Sequence, residues 1–189
     1  MAPDAPYANL VERLQNDCQR LTHLVNSTLT FSKPVEYHIQ PVDLSEMIPA
    51  ILEKWDPRMK KLNISYNFSA LEENLLVKAD MRSIEQVFVN LISNAVQAME
   101  DHGGSLNIRL SPAAAEISPP QCEIIIADSG PGIPEELASR IFEPFQTTKA
   151  SGTGLGLAIT KRIVSAHEGN IQVESVPGGT VFKVLLPRA

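Results

Sequence analysis

Asn90 and Asn94 stand one helical turn apart, and Gln86 and Gln97 extend the same line one turn to either side. Amides are an unusual choice for the back of a helix, where Lys, Glu and Arg cost less and Asn costs up to roughly 0.7 kcal/mol against Ala. Their carbonyl oxygens are neutral hard donors, suited to magnesium when substrate phosphates supply the remaining ligands and the charge. Asp128, in Asp128-Ser-Gly130-Pro-Gly132, follows the apolar run Ile124-Ile-Ile126. A carboxylate there can accept a hydrogen bond from an exocyclic amine, and the glycines let backbone approach a flat ring; a capped strand-to-helix turn would use the same residues. The run Ser151-Gly152-Thr153-Gly154-Leu155-Gly156-Leu157 opens an apolar helix. Free amides and the positive end of the helix dipole suit a phosphate at such a place, while a glycine C-cap followed by Thr153 as N-cap is the structural alternative. The loop lacks the Gly-Lys-Ser/Thr ending of a P-loop and does not follow a strand as a dinucleotide fingerprint would.

The elements that must position these groups are legible around them. Ile84, Val87, Phe88, Leu91, Ile92 and Ala95 recur at helical spacing beside the amides, with Asp80 placed as N-cap. Asp43 or Ser45 can cap a helix through about Lys54. Leu62 to Phe68 alternates like a half-buried strand, with Leu75 to Lys78 as its expected partner. Ser105–Leu110 and Cys122–Ala127 read as strands joined by a surface connector, residues 111–121. Leu155 to His167 has helical periodicity, and residues 170–175 and 180–186 read as closing strands around the turn Pro177-Gly178-Gly179. This pattern predicts an α/β layer, one mixed sheet covered by helices. Ahead of it, Tyr7 to Phe31 keeps a heptad-like beat through Val11, Cys18 and Val25 and through Leu14, Leu21 and Thr28. It predicts one long dimerisation or docking helix, ended by Pro34, so that residues 1–34 and 35–189 form separate units.

Composition narrows the function classes. With 189 residues, 43% hydrophobic and 20% charged, the chain fits one globular domain plus an appendage. A net charge of -6 argues against broad contact with nucleic acid or acidic membrane. No stretch approaches the roughly 20 apolar residues of a membrane span, and the start lacks signal-peptide features, so a cytoplasmic protein is expected. Cys18 and Cys122 have no metal-type spacing and read as buried free thiols.

Four blocks in order, Asn90-Leu-Ile-Ser-Asn94-Ala, Asp128-Ser-Gly130-Pro-Gly132, Ile141-Phe142-Glu-Pro-Phe145 and Gly152-Thr-Gly154-Leu-Gly156-Leu, resemble the ATP-binding catalytic domain of sensor histidine kinases. That domain belongs to the GHKL superfamily, with gyrase, Hsp90 and MutL, and the likeness covers about Pro41 to Pro187. It implies a Bergerat-type two-layer α/β sandwich behind the long N-terminal helix. It implies that Asn90 and Asn94 hold magnesium and phosphate oxygens, with Asn94 ahead of Asn90 as the obligatory metal ligand. By the same resemblance Asp128 takes the adenine amine, Gly130 and Gly132 shape the base pocket, and Gly152, Thr153, Gly154, Leu155, Gly156 and Leu157 lie along the phosphates. Thr180, in Gly178-Gly-Thr-Val-Phe182, matches a threonine near the adenine, although it could merely open a strand. A lid between Phe145 and Gly152 is implied, short here, in which Lys149 could reach a phosphate or remain solvated. The Thr-Thr-Lys lid resembles kinases of the nitrogen-regulator type, from which Gln146 departs.

Hydrolases of the superfamily place a glutamate four residues before the metal asparagine, and this chain has Asn90 there. An amide is no general base, so the site suits an acceptor that is its own nucleophile, as histidine imidazole is. Glu85 lies about 100° around the helix from its neighbour and is not placed for that role. The resemblance therefore implies a protein-histidine kinase using ATP and magnesium, with a response regulator as partner and a homodimer in the longer protein; a GHKL-type ATPase and a degenerate docking module are the alternatives. None of His23, His38, His102 or His167 sits in a His-Glu/Asp-x-x-x-x-Pro-type block, so the phosphoacceptor domain is expected outside this sequence, which reads as a piece of a longer kinase. His167 is expected as a helix C-terminal histidine favoured by the dipole.

Overall fold

The computed structural model describes residue 11 and residues 36–72, 74–114, 119–147, 152–176 and 178–189. The long helix expected over 7–31, with Cys18 and His23, lies outside the described residues except for Val11, and so does Lys149. In chain order the elements are β1 (Gln40–Asp43), α1 (Leu44–Lys61), β2 (Ile64–Ala70), β3 (Leu76–Ala79) and α2 (Met81–Ala98). They continue with β4 (Gly104–Pro112), β5 (Gln121–Asp128), α3 (Glu135–Ala138), α4 (Gly156–Ala166), β6 (Asn170–Val176) and β7 (Gly179–Pro187).

Five strands form a mixed sheet in the order β2-β4-β5-β7-β6. β2 and β4 run parallel, and the remaining neighbours run antiparallel. β5 and β7 bury every second residue, among them Ile124, Ile126, Phe182 and Val184, because the period-2 alternation sends one set of side chains under the helices. α1, α2 and α4 supply that cover, so the expected two-layer sandwich is met. The alternate residues of both strands are half-buried on the other face. There the exposed flank carries Lys183 ion-paired with Glu123 across the β5–β7 ladder.

Two expectations fail at the first strands and helix. Leu75–Lys78 was assigned to the strand at Leu62–Phe68; instead β3 pairs antiparallel with β1, with Val42 opposite Val77, in a small separate sheet. β2 takes β4 as a parallel neighbour, which requires a long crossover, and β3 and α2 are that crossover. The first helix runs to Lys61 rather than about Lys54, with Pro49 and Pro57 inside it. Each proline removes one intrahelical bond, but Ile48, Ile51, Leu52 and Met59 are all buried on the core side, and that packing carries the helix through.

α2 shows why its sequence must be a helix here. Asp80 caps it by accepting from the Ser83 backbone amide at 2.9 Å, as its position predicted. Its apolar stripe, Ile84, Val87, Phe88, Leu91 and Ile92, is fully buried, at roughly 1.5–3 kcal/mol for each large side chain. Cys122 is a free, buried thiol on β5, pushed up to about 11 by burial.

His167 stands at the C-terminal cap of α4 as expected, but hydrogen bonds and burial rather than the dipole hold it there: Nε2 accepts from the Asp80 amide at 2.9 Å, and Nδ1 lies 2.7 Å from the Ile163 carbonyl. A nitrogen facing an N–H must accept and one facing a carbonyl must donate, which defines a neutral ring.

Candidate functional site

α2, the end of β5, the start of β7 and the opening of α4 come together around one cleft of about 670 Å³. That size falls within the usual range of small-molecule sites. Of the residues singled out in the sequence, Asn90, Asn94, Asp128, Gly132, Gly152, Thr153, Gly154, Gly156, Leu157 and Thr180 line it. Gly130 and Leu155 do not. Gly130 instead donates its amide to Asp128 Oδ1 at 2.9 Å, and Leu155 is buried in the core.

One end of the cleft is built on the sheet. Asp128 ends β5, and the antiparallel register sets Thr180 of β7 directly across from it. Both side chains are buried, with 9% and 5% of their surface exposed, so a hydrogen bond offered by either works in a low dielectric. The bond from Gly130 fixes the carboxylate. Ile133, Leu137, Ile141 and Phe182 give this end apolar walls. Phe182 also packs edge-on against Phe142, with ring centroids 6.5 Å apart. A flat, apolar ring with an exocyclic amine meets its needs here: walls for its faces and an acceptor for its N–H.

The other end is built on two helices. Asn90, Ser93 and Asn94 face it from α2, and Gly152, Thr153, Gly154 and Gly156 border it from the approach to α4. Leu155 caps α4 with no side-chain hydrogen bond, and Thr153 Oγ1 accepts from the Leu155 amide at 3.3 Å, ahead of the helix proper. Among the described residues the cap position of α4 thus adds no side-chain bond to the first turn. One glycine here is structurally required and a second leaves room for a side chain of α2. Gly154 has φ +66, and a Cβ there would land on the Phe145 backbone, whose amide bonds to the Gly154 carbonyl at 2.8 Å. At Gly156 a Cβ would lie 2.5 Å from Asn90 Oδ1, so any larger residue would have to displace the Asn90 carboxamide.

Magnesium fits the donors present. Asn90 and Asn94 offer amide oxygens from adjacent turns, and among the described residues no group of three or more His, Cys, Asp or Glu competes as a metal centre. Such a poor set of protein donors suits a cation that keeps most of its ligands from water and phosphate. Glu85 is engaged elsewhere, in an ion pair with Lys54 at 3.1 Å, and does not line the cleft.

Some lining residues were not singled out from the sequence. Thr160 is the clearest: a polar side chain only 1% exposed within the apolar run of α4, bonded through Oγ1 to Asn90 Nδ2 at 2.8 Å. The hydroxyl among Ala158, Ile159, Ile163 and Val164 was an available signal. Phe182 and Ile133 also line the cleft, as apolar neighbours of the motif residues.

Residues 79–189 match the sequence model of a family described as histidine kinase-, DNA gyrase B- and HSP90-like ATPase. The signal transduction histidine-protein kinase AtoS of Escherichia coli (strain K12) is 37% identical over 169 residues, covering 88% of this chain and 27% of AtoS. Curated relatives of this kind are longer: the chain spans 27% to 37% of the first two. Among solved structures, the catalytic domain of histidine kinase ThkA aligns with a TM-score of 0.70 at 35% identity, covering 80% of this chain and 96% of that one. ThkA in complex with the response regulator protein TrrA aligns at 0.80 and 29%, over 100% and 53% of the two chains. Full-length ShkA in complex with AMPPNP aligns at 0.79 and 28%, over 100% and 40%.

Proposed function

Because the chain belongs to the histidine kinase-, DNA gyrase B- and HSP90-like ATPase family, as a catalytic ATP-binding domain of the histidine-kinase kind, we propose that its cleft binds Mg-ATP and presents the γ-phosphoryl group to a histidine on a separate helical domain. One observation carries this. Four segments far apart in sequence meet at one cleft whose sheet end fits a base and whose helix end fits phosphates.

In this proposal Asp128 accepts the exocyclic amine of adenine, with Thr180 beside it, and the walls around Ile141 and Phe182 hold the ring. The triphosphate runs toward the open first turn of α4, where backbone amides of the Gly152–Leu157 segment hold its oxygens. Asn90 and Asn94 would hold the metal through their amide oxygens, and Lys149 would add a positive charge toward the phosphates. When bound, magnesium supplies charge neutralisation on the phosphate oxygens. The acceptor imidazole attacks the γ-phosphorus through a nitrogen lone pair, a P–N bond forms, the bond to the β,γ-bridging oxygen breaks, and ADP leaves. No residue need remove a proton before attack, which fits the amide at position 90. The protein's contribution is position and electrostatics.

The division into residues 1–34 as part of a dimerisation and phosphotransfer hairpin and 35–189 as the ATP-binding unit belongs to this proposal. So do the homodimer and a response regulator as onward acceptor; ThkA, which was solved with one, supports the kind of partner. AMPPNP on ShkA supports the ligand class. Among the described residues no helix is long and apolar enough to cross a membrane. The need for ATP fits a cytoplasmic site.

Titration calorimetry with Mg-ATP tests the assignment. Asp128→Asn and Asn94→Asp should each weaken binding by tenfold or more, and unchanged titrations for both would overturn it. Steady-state hydrolysis of ATP by this chain alone would favour an ATPase instead. Labelled ATP should leave no acid-labile phosphate on the chain, since none of its four histidines lies in an acceptor block.

A further inference from the structure

Asn90 is held from two sides by one helix. Its Nδ2 donates to Thr160 Oγ1 at 2.8 Å, and its Oδ1 faces Gly156, four residues earlier on α4, where a Cβ would approach to 2.5 Å. A carboxamide is asymmetric, with two donor hydrogens at one end and only lone pairs at the other. It can bind a cation or accept a proton only if the oxygen points to the ligand. Nothing in the covalent structure of asparagine decides between the two orientations, which differ by a half-turn about χ2.

Thr160 decides it. A threonine inside a helix can give its single hydroxyl proton to the carbonyl four residues back, which leaves lone pairs facing outward. Thr160 is 1% exposed, so water is not available to take its place. A hydroxyl used in this way would accept and not donate, which is the sense of the bond that Asn90 Nδ2 makes to Thr160 Oγ1. The oxygen is thereby sent to the Gly156 side, toward the open amides of α4 and the cleft. We propose that Thr160 is a positioning residue that sets the orientation of the Asn90 carboxamide, so that Asn90 offers oxygen rather than N–H to the metal that accompanies the phosphates. The role of Asn90 toward Mg-ATP rests on the proposed function; the orientation itself does not.

The full chain tests it with Thr160→Val, which keeps shape and removes the acceptor, and Thr160→Ser, which keeps the acceptor. The carboxamide ¹⁵N–H₂ signals of Asn90 should be resolved and slow to exchange in the parent protein and in Thr160→Ser, and should shift and exchange faster in Thr160→Val. Mg-ATP affinity should fall roughly three- to tenfold in Thr160→Val, the range expected for one lost hydrogen bond. Adenosine, which lacks the phosphates, should bind equally to all three proteins. The inference is overturned if the Asn90 signals exchange freely in the parent, if Thr160→Val leaves them unchanged, or if it weakens adenosine and Mg-ATP alike. Parent protein that takes up no nucleotide, yet shows the Asn90 signals responding to Thr160→Val, would remove the proposed function and keep the orientation.

Discussion

The two ends of α4 treat their polar groups in opposite ways. At its N-terminal end the cap residue Leu155 supplies no side-chain bond, and among the described residues two glycines keep bulk away from the first turn. At its C-terminal end everything is engaged. The His167 amide returns to Ile163 and Val164, and its ring joins Ile163 to Asp80, which caps α2. Tyr37 sets its ring against that of His167 at 4.8 Å, and the His38 amide donates to Asp80 Oδ2. Polar groups left by a helix end are normally satisfied within the protein. The closed end satisfies them among the described residues, and the open end borders the cleft. The closed end also aligns the open one: the bond between His167 and Asp80 ties the end of one cleft helix to the start of the other, so Gly156 meets Asn90 at a fixed separation.

If the ends divide labour in this way, damage at the closed end should appear as lost stability. His167→Ala removes a buried ring, leaves the Asp80 amide without its partner and leaves the Ile163 carbonyl with only its backbone bond. The expected cost is about 2–4 kcal/mol, a large part of the roughly 5–15 kcal/mol that holds a domain. Urea unfolding should record it, while Mg-ATP affinity measured on the folded fraction should stay within about threefold. A loss of affinity as large as the loss of stability would show that the two ends are not separable. Gly156→Ala should do the reverse. Alanine favours a helix over glycine by about 1 kcal/mol, yet its Cβ would stand 2.5 Å from Asn90 Oδ1. Unfolding should move little, and Mg-ATP affinity should fall by tenfold or more, about 1.4 kcal/mol. Unaltered affinity would mean that the close approach of α4 to Asn90 has no bearing on the ligand.

The same contrast explains what the sequence revealed. The open end was legible because its requirements are local: glycines at Gly154 and Gly156, amides on one stripe of α2, and an acid after an apolar strand each break a propensity rule within a few residues. The Asp128–Thr180 pair could be named only by resemblance, because the register that joins them spans two strands far apart in sequence. The closed end was misread for a related reason. His167 looks like a dipole histidine when only its own helix is in view, and its partner, the Asp80 amide, lies 87 positions away. Thr160 was passed over although it is one turn from Gly156, since a single hydroxyl in an apolar helix is ordinary until Asn90 stands opposite. The strand at Leu76–Ala79 was assigned to the wrong neighbour because alternation reports a buried face and not a partner. The fold class survived these errors since it depends on the sum of the elements.

The mildest break in the comparison concerns Asp80, where the closed end reaches α2. Burial by itself would raise its carboxyl, but hydrogen bonds from Ser83 and from the His38 amide hold it below the usual carboxylate value. Asp80→Ala removes the cap and should cost about 1 kcal/mol at neutral pH. A carboxyl lowered by folding stabilises fully above its unfolded value, near 3.9, and that contribution disappears as pH falls through the lower folded value. The difference in urea midpoint between the parent and Asp80→Ala should therefore be constant from pH 7 to about 5 and shrink below about 4. Asp80→Asn, which caps as well without a charge, should keep most of the stability and show no such pH dependence relative to Asp80→Ala. A gap that widened on acidification would mean the carboxylate is a strained anion at this junction and the end is less closed than its hydrogen bonds imply. A constant gap down to pH 3 would mean that the amide of Ser83 can be satisfied by a protonated carboxyl, so that the geometry of the cap, and not its charge, closes this end of the helix pair.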